Sequence, residues 1–83
     1  MNTKIYKSFK GVQIAIASKV KVHTNNAVYT GLVCGTIHND TCLELTDIKE
    51  IDTQTGEETS VFENKPYERF FDFVVKSFQV IEL

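Results

Sequence analysis

The sequence predicts a mostly β domain: a short N-terminal helix followed by a strongly bent five-stranded antiparallel sheet. Three observations carry this. The 83 residues are rich in Val and Phe and hold one proline, a composition suited to strands joined by short turns. Apolar residues alternate over 18–24, 41–51 and 68–83, the period-2 signature of a half-buried strand. Gly31 and Gly35 interrupt a run that is otherwise β-branched and aromatic, and glycine inside a strand marks a bend or a bulge. A chain of 83 residues makes one small domain, here divided into a helix (1–17), a first strand group (18–51), a loop (52–67) and a second strand group (68–83).

The first segment reads two ways. Ile5, Phe9, Val12 and Ile16 are spaced 4, 3 and 4, which lines one face of a helix with Lys4, Lys7 and Lys10 off the stripe. Val12, Ile14 and Ile16 also alternate, and with Val20 and Val22 they would extend one strand. Gly11 weakens a helix interior by about 1 kcal/mol. A strand from Val12 to Thr24 would be long for a small domain, so the helix is favoured.

Later elements are clearer. Val20 and Val22 take one face of the first strand, and Lys19, Lys21 and His23 the other. Asn25-Asn26 suits a tight hairpin because Asn tolerates positive φ. Ala27–Ile37 is a longer strand that bends at Gly31 and Gly35, and His38-Asn39-Asp40 is the next turn. In the third strand, Thr41–Ile51, Leu43 and Leu45 point inward and Glu44 and Thr46 outward. The polar stretch D-T-Q-T-G-E-E-T-S, residues 52–60, is not core, and Pro66 excludes a central strand there. In the last segment Phe71, Phe73 and Val75 share a face assigned to the core, Phe70 points the other way with Asp72 and Val74, and Lys76-Ser77 marks a sharp bend before Phe78 and Val80.

Charge is segregated. Residues 1–39 carry five lysines and no acid, whereas 40–83 carry four basic and eleven acidic residues. A basic half attracts phosphates or acidic partners, yet the net charge of −2 is far from that of a dedicated nucleic-acid binder. The start lacks the apolar core of a secretory signal, and no run of about 18 apolar residues spans a membrane. An intracellular, cytoplasmic location is expected. Cys34 and Cys42 lack metal-ligand spacing and read as free thiols, with Cys34 a small buried residue. No catalytic constellation emerges: His23 is an exposed strand residue without an orienting partner, His38 belongs to a turn, Glu57-Glu58 sit in a polar loop, and no phosphate-binding glycine loop is present. Neither enzyme activity nor a metal or cofactor is expected. Leu83 ends at a strand, which suggests a domain of a longer protein.

Taken together, K-V-K-V-H-T-N-N-A-V-Y-T-G-L-V, then L-E-L-T-D-I, then F-V-V-K-S-F-Q-V-I-E-L resemble the Sm/LSm family. The resemblance implies an Sm-like small open barrel and a role in RNA processing. Ring-forming members bind uridine-rich RNA through an Asp and an Asn near the second turn and an Arg-Gly pair in the second motif. Here the turn is His38-Asn39-Asp40, Thr41-Cys42 precede Leu43, and Lys76-Ser77 stand at the Arg-Gly positions. Lysine does not reproduce a planar bidentate arginine. The Val28-Tyr29-Thr30-Gly31 entry, the acidic connection over 52–67 and the aromatic run Tyr67–Val75 are more similar to the LSm domains of mRNA-decapping enhancers, with the Gemin-type and exonuclease-linked LSm branches left open.

That likeness implies a non-catalytic adaptor that binds protein partners at its sheet edges, through Val74, Val75, Phe78, Val80 and Ile81, in an mRNA-decay, RNA-processing or small-RNA complex. A homo- or heterodimer through the same edges is equally natural. The alternative is direct, weak RNA binding through Lys19, Lys21, Asn39 and Lys76. No membrane or small-molecule partner is expected.

Overall fold

The structure, a computed structural model, describes residues 5–35 and 41–82. The first segment is a β-hairpin, not a helix. Strand β1 (Tyr6–Phe9) pairs antiparallel with β2 (Val12–Ala15), with Phe9 opposite Val12. Lys10 and Gly11 connect them at φ of 52° and 77°. Two successive left-handed residues form the hairpin connection whose twist matches that of the strands, and they cannot lie within a right-handed helix. The supposed helical stripe is split accordingly. Phe9 is fully buried, while Ile5 and Val12 are 64% and 46% exposed. The extended alternative fails as well, because the chain turns at Ala17, where φ is 75°. Ser18 Oγ donates to the Ala15 carbonyl at 2.6 Å, and Ala17 N donates to the Val33 carbonyl at 2.7 Å.

The main sheet follows. Its strands are β3 (Lys19–Thr24), β4 (Val28–Gly35), β5 (Cys42–Ile51), β6 (Glu58–Ser60), β7 (Glu68–Phe71) and β8 (Val75–Glu82). The order is β6-β5-β4-β3-β8, with β7 also on β5. Strands β6 and β7 divide β5 between them: β6 pairs with Lys49–Ile51 and β7 with Cys42–Leu45. The result is an open six-stranded sheet plus a separate hairpin, not five strands behind a helix. The loop expected over 52–67 supplies the extra strand, β6. The β3–β4 turn is closed by Thr24, whose Oγ1 accepts from Asn26 N and Ala27 N and donates to the Ala27 carbonyl.

Strand β4 changes register against β5 between Thr30 and Leu32 and again between Val33 and Gly35. Gly31 sits within the first shift, and a Cβ there would lie 3.0 Å from Leu45 Cβ and 3.2 Å from the Thr46 carbonyl. Gly35 sits at the second, with φ of +148°. Side chains from both layers fill the concave space. Val20, Val22, Val33, Leu43, Leu45, Ile48, Phe70 and Val75 form the core, and the hairpin adds Phe9 and Ile14. The Phe9 ring meets Phe78 edge-on at 5.3 Å, and the Lys10 ammonium pairs with Asp72. Full burial of a residue such as Phe9 stabilises by roughly 1.5–3 kcal/mol, so the hairpin caps the core although it shares no strand ladder with the sheet.

Several side-chain assignments are reversed. Phe70 is the core residue, 5% exposed, whereas Phe71 and Phe73 are 42% and 84% exposed. The β5–β7 register causes this, because Phe70 falls opposite Leu43 and Phe71 opposite Cys42. A 3-10 turn at Asp72–Val74 then breaks the alternation, so Phe73 and Val75 no longer share a face. That turn is the bend, and Lys76-Ser77 continue within β8. Cys34 is exposed and Cys42 buried. His23 is half-buried. Glu44, expected outward, is only 8% exposed, since Arg69 lies opposite it and donates Nε to its carboxylate. The turn 38–40, with Asn39, lies outside the described residues.

Candidate interaction surfaces

Strand β8 supplies the first surface. One side of it pairs with β3 from Lys19 to Thr24, and its other side has no strand partner among the described residues. The structure divides the five residues expected at this edge. Val75 is buried, and Val74, Phe78 and Val80 pack against the core. Ile81, 39% exposed, is the one large side chain of the set that faces outward. Such an edge therefore offers backbone donors and acceptors, with side-chain contact concentrated at Ile81.

The three lysines among the expected RNA contacts do not converge. Lys19 lies opposite Glu82, its ammonium 4.0 Å from that carboxylate. Lys21 lies opposite Thr30 on β4 and Gln79 on β8. Lys76 is exposed near the other end of β8. At about 3.3 Å per residue, Lys76 and the residues opposite Lys19 are separated by roughly 20 Å of strand. The three lysines make a line of spaced charges, not a pocket.

A second surface was not expected. Tyr67, Arg69 and Phe71 alternate on the side of β7 away from Phe70, and Phe73 extends the row across the 3-10 turn. The Arg69 guanidinium lies 5.3 Å from the Tyr67 ring centroid, and its Nη2 donates to the Tyr67 hydroxyl at 2.9 Å. Arg69 Nε donates to Glu44 Oε2 at 3.0 Å; this hydrogen bond raises the guanidinium pKa further. Phe71 and Phe73 stack at 5.8 Å with 16° between their planes. A shallow groove of about 350 Å³ runs along Lys65, Pro66, Tyr67, Glu68, Arg69 and Phe71. The signal was present in Y-E-R-F-F-D-F, residues 67–73, but choosing which phase of the alternation is buried required the register with β5.

A third feature is structural. The β6–β7 loop folds over the core, where Tyr29, Phe62 and Phe70 form an aromatic cluster with centroids 5.3–6.4 Å apart. Phe62 holds φ at 57° and Val61 N donates to the Ile48 carbonyl at 3.1 Å. Thr46 Oγ1 donates to the Pro66 carbonyl. Burial, with the nearby Glu50 carboxylate, pushes the Tyr29 phenol pKa up.

Among the described residues, no group of three His, Cys, Asp or Glu side chains could hold a metal ion, and no helix is long and apolar enough to cross a membrane. No family model, curated protein or solved structure matches this chain.

Proposed function

We propose that this protein is a non-catalytic, LSm-type adaptor that binds protein partners through its open sheet edge, in an RNA-processing or mRNA-decay complex. The observation that carries the binding mode is the outer side of β8, a strand eight residues long with one paired neighbour among the described residues. An exposed edge accepts an extended segment of another chain through main-chain hydrogen bonds, with side-chain pockets adding selectivity. The resemblance of the strand motifs to decapping-enhancer LSm domains supports the RNA-processing context. A second copy of the chain is one partner that such an edge could take.

Direct RNA binding is the weaker reading. Lys19, Lys21 and Lys76 are strung along the sheet, and Lys19 is already beside Glu82. Affinity from phosphate contacts alone would fall steeply with salt.

The test is affinity capture from cell extract with the native chain and with Ile81→Asp, which places a charge at an exposed position of the edge. The expected outcome is loss of specific protein partners with an unchanged circular dichroism spectrum. Undiminished capture by the folded variant would reject the edge. Salt-sensitive binding of oligo-uridylate, with no protein captured, would favour the RNA reading.

A further inference from the structure

We propose that the Tyr67–Arg69–Phe71–Phe73 row is a docking site for a proline-rich segment of a partner protein in the polyproline II conformation. This surface shares no residue with the β8 edge, and its occupancy does not depend on the edge reading.

The first argument is charge. Every formal charge within residues 65–73 is already paired: Lys65 with Glu68 at 3.1 Å, Arg69 with Glu44 at 3.0 Å, and Asp72 with Lys10. The row is aromatic and locally neutral. It has no unpaired cation for a phosphate and no unpaired anion for a basic peptide, so the complementary ligand is an uncharged one with faces that pack on rings.

The second argument is hydrogen-bond polarity. The Tyr67 hydroxyl oxygen accepts from Arg69 Nη2, which leaves its own O–H to donate outward. Arg69 uses Nε and one Nη2 proton internally and keeps further N–H donors, since a guanidinium carries five. Tyr67 and Arg69 therefore present donors in the middle of the row, and the Glu68 carboxylate beside them already accepts from Lys65 Nζ and Arg69 N. Proline has no N–H, so an uninterrupted run of prolines presents only carbonyl acceptors. Polyproline II makes no internal hydrogen bonds and leaves those carbonyls open, and it is stiff before binding, so little ordering entropy is lost.

The third argument is shape. The groove along Tyr67 and Phe71 is shallow and open, which admits a rod better than a compact ligand. Aromatic-lined grooves of this kind are how polyproline II segments are read. Phe73, 84% exposed and stacked on Phe71, extends the apolar wall beyond the end of the groove.

The experiment is a titration of the full chain with a synthetic decaproline, followed by NMR, with a Gly/Ser peptide of equal length and oligo-uridylate as the other arms. Decaproline should perturb resonances of residues 65–73, with an affinity that changes little between about 0.05 and 0.5 M salt, because an uncharged ligand offers no charge contact for salt to screen. Phe73→Ser should weaken binding by about tenfold, from lost apolar contact. Tyr67→Phe, which keeps the ring and removes the donor, should weaken it about two- to tenfold. Ile81→Asp should leave it unchanged. Because Phe73 contributes nothing to the core, its variant stays folded, and an unaltered spectrum elsewhere verifies that. Absence of perturbation at millimolar peptide, equal binding of the Gly/Ser peptide, perturbation centred away from 65–73, or oligo-uridylate binding to the row in place of decaproline would each overturn the proposal.

Discussion

Gly31 shows how one missing methyl group sets the shape of the sheet. It stands where β4 changes register on β5, and the space a Cβ would occupy is taken by Leu45, the Thr46 carbonyl and Ile48 at 3.0–3.3 Å. Two of those neighbours are core residues that cannot withdraw without opening a void. Gly31→Ala should therefore destabilise by about 1–3 kcal/mol, the usual cost of overpacking, measured as a lower urea midpoint. For a chain of this length each kcal/mol corresponds to a fall in Tm of roughly 4–8 °C. The two cysteines differ for the same reason of placement. Cys42 is 1% exposed, opposite Phe71 on β7, while Cys34 is exposed. Partial burial and the Glu44 carboxylate both disfavour the Cys34 thiolate and push its pKa up. The thiolate is the reactive form, so alkylation of the folded protein should label Cys34 alone, with a pH midpoint above that of a free cysteine thiol. Cys42 should react only after unfolding, and mass spectrometry of iodoacetamide-treated protein separates the two.

At the scale of elements, the hairpin β1–β2 is the clearest unit. It is nucleated by a two-residue turn, joined to the rest by Phe9 in the core and by Lys10 on Asp72, and pinned at its end by Ser18. Gly11 has open space around it but a φ of +77°. Gly11→Ala should thus cost about 1–2 kcal/mol through backbone strain alone, and hydrogen exchange should show faster opening of residues 6–15 before the sheet. The heptad-like spacing of Ile5, Phe9, Val12 and Ile16 did not reveal this hairpin. That stripe mixes the two faces of the hairpin, since Phe9 is buried while Ile5 and Val12 are exposed. The discriminating feature is Lys10-Gly11, both left-handed, which turn the chain back on itself. In β7 the alternation itself was legible, but its phase was not. Four residues cannot specify which face is buried, and the pairing of Phe70 with Leu43 decides it.

For the whole molecule, the two outer surfaces lead to separable outcomes. The β8 edge offers backbone groups and one exposed apolar side chain, Ile81. The β7 row offers rings and donors with paired charges. Ile81→Asp should abolish edge-dependent partner capture and leave the β7 row intact, and Phe73→Ser should do the converse. A capture experiment run with both variants in parallel reads the two surfaces independently. Light scattering on the purified chain adds a simple check on edge use. An oligomer that collapses to a monomer with Ile81→Asp would identify a second copy of the chain as the occupant of the edge.

Much of the main sheet could be read from residue order alone. The alternation of Val20 and Val22, the Asn25-Asn26 turn, the long strand with two interior glycines and the paired Leu43 and Leu45 are local patterns, and local patterns survive in a one-dimensional record. The sequence by itself determined a small, mostly β chain with charge divided between its halves and a bend near Gly31. Only the tertiary structure decided that the first segment is a hairpin and that β6 exists. It also decided that Phe70 is core while Phe71 and Phe73 form an exterior stack. Each of these depends on which strand lies beside which, and a shift of one residue in register exchanges the buried and exposed faces. That choice is made by packing across distant parts of the chain.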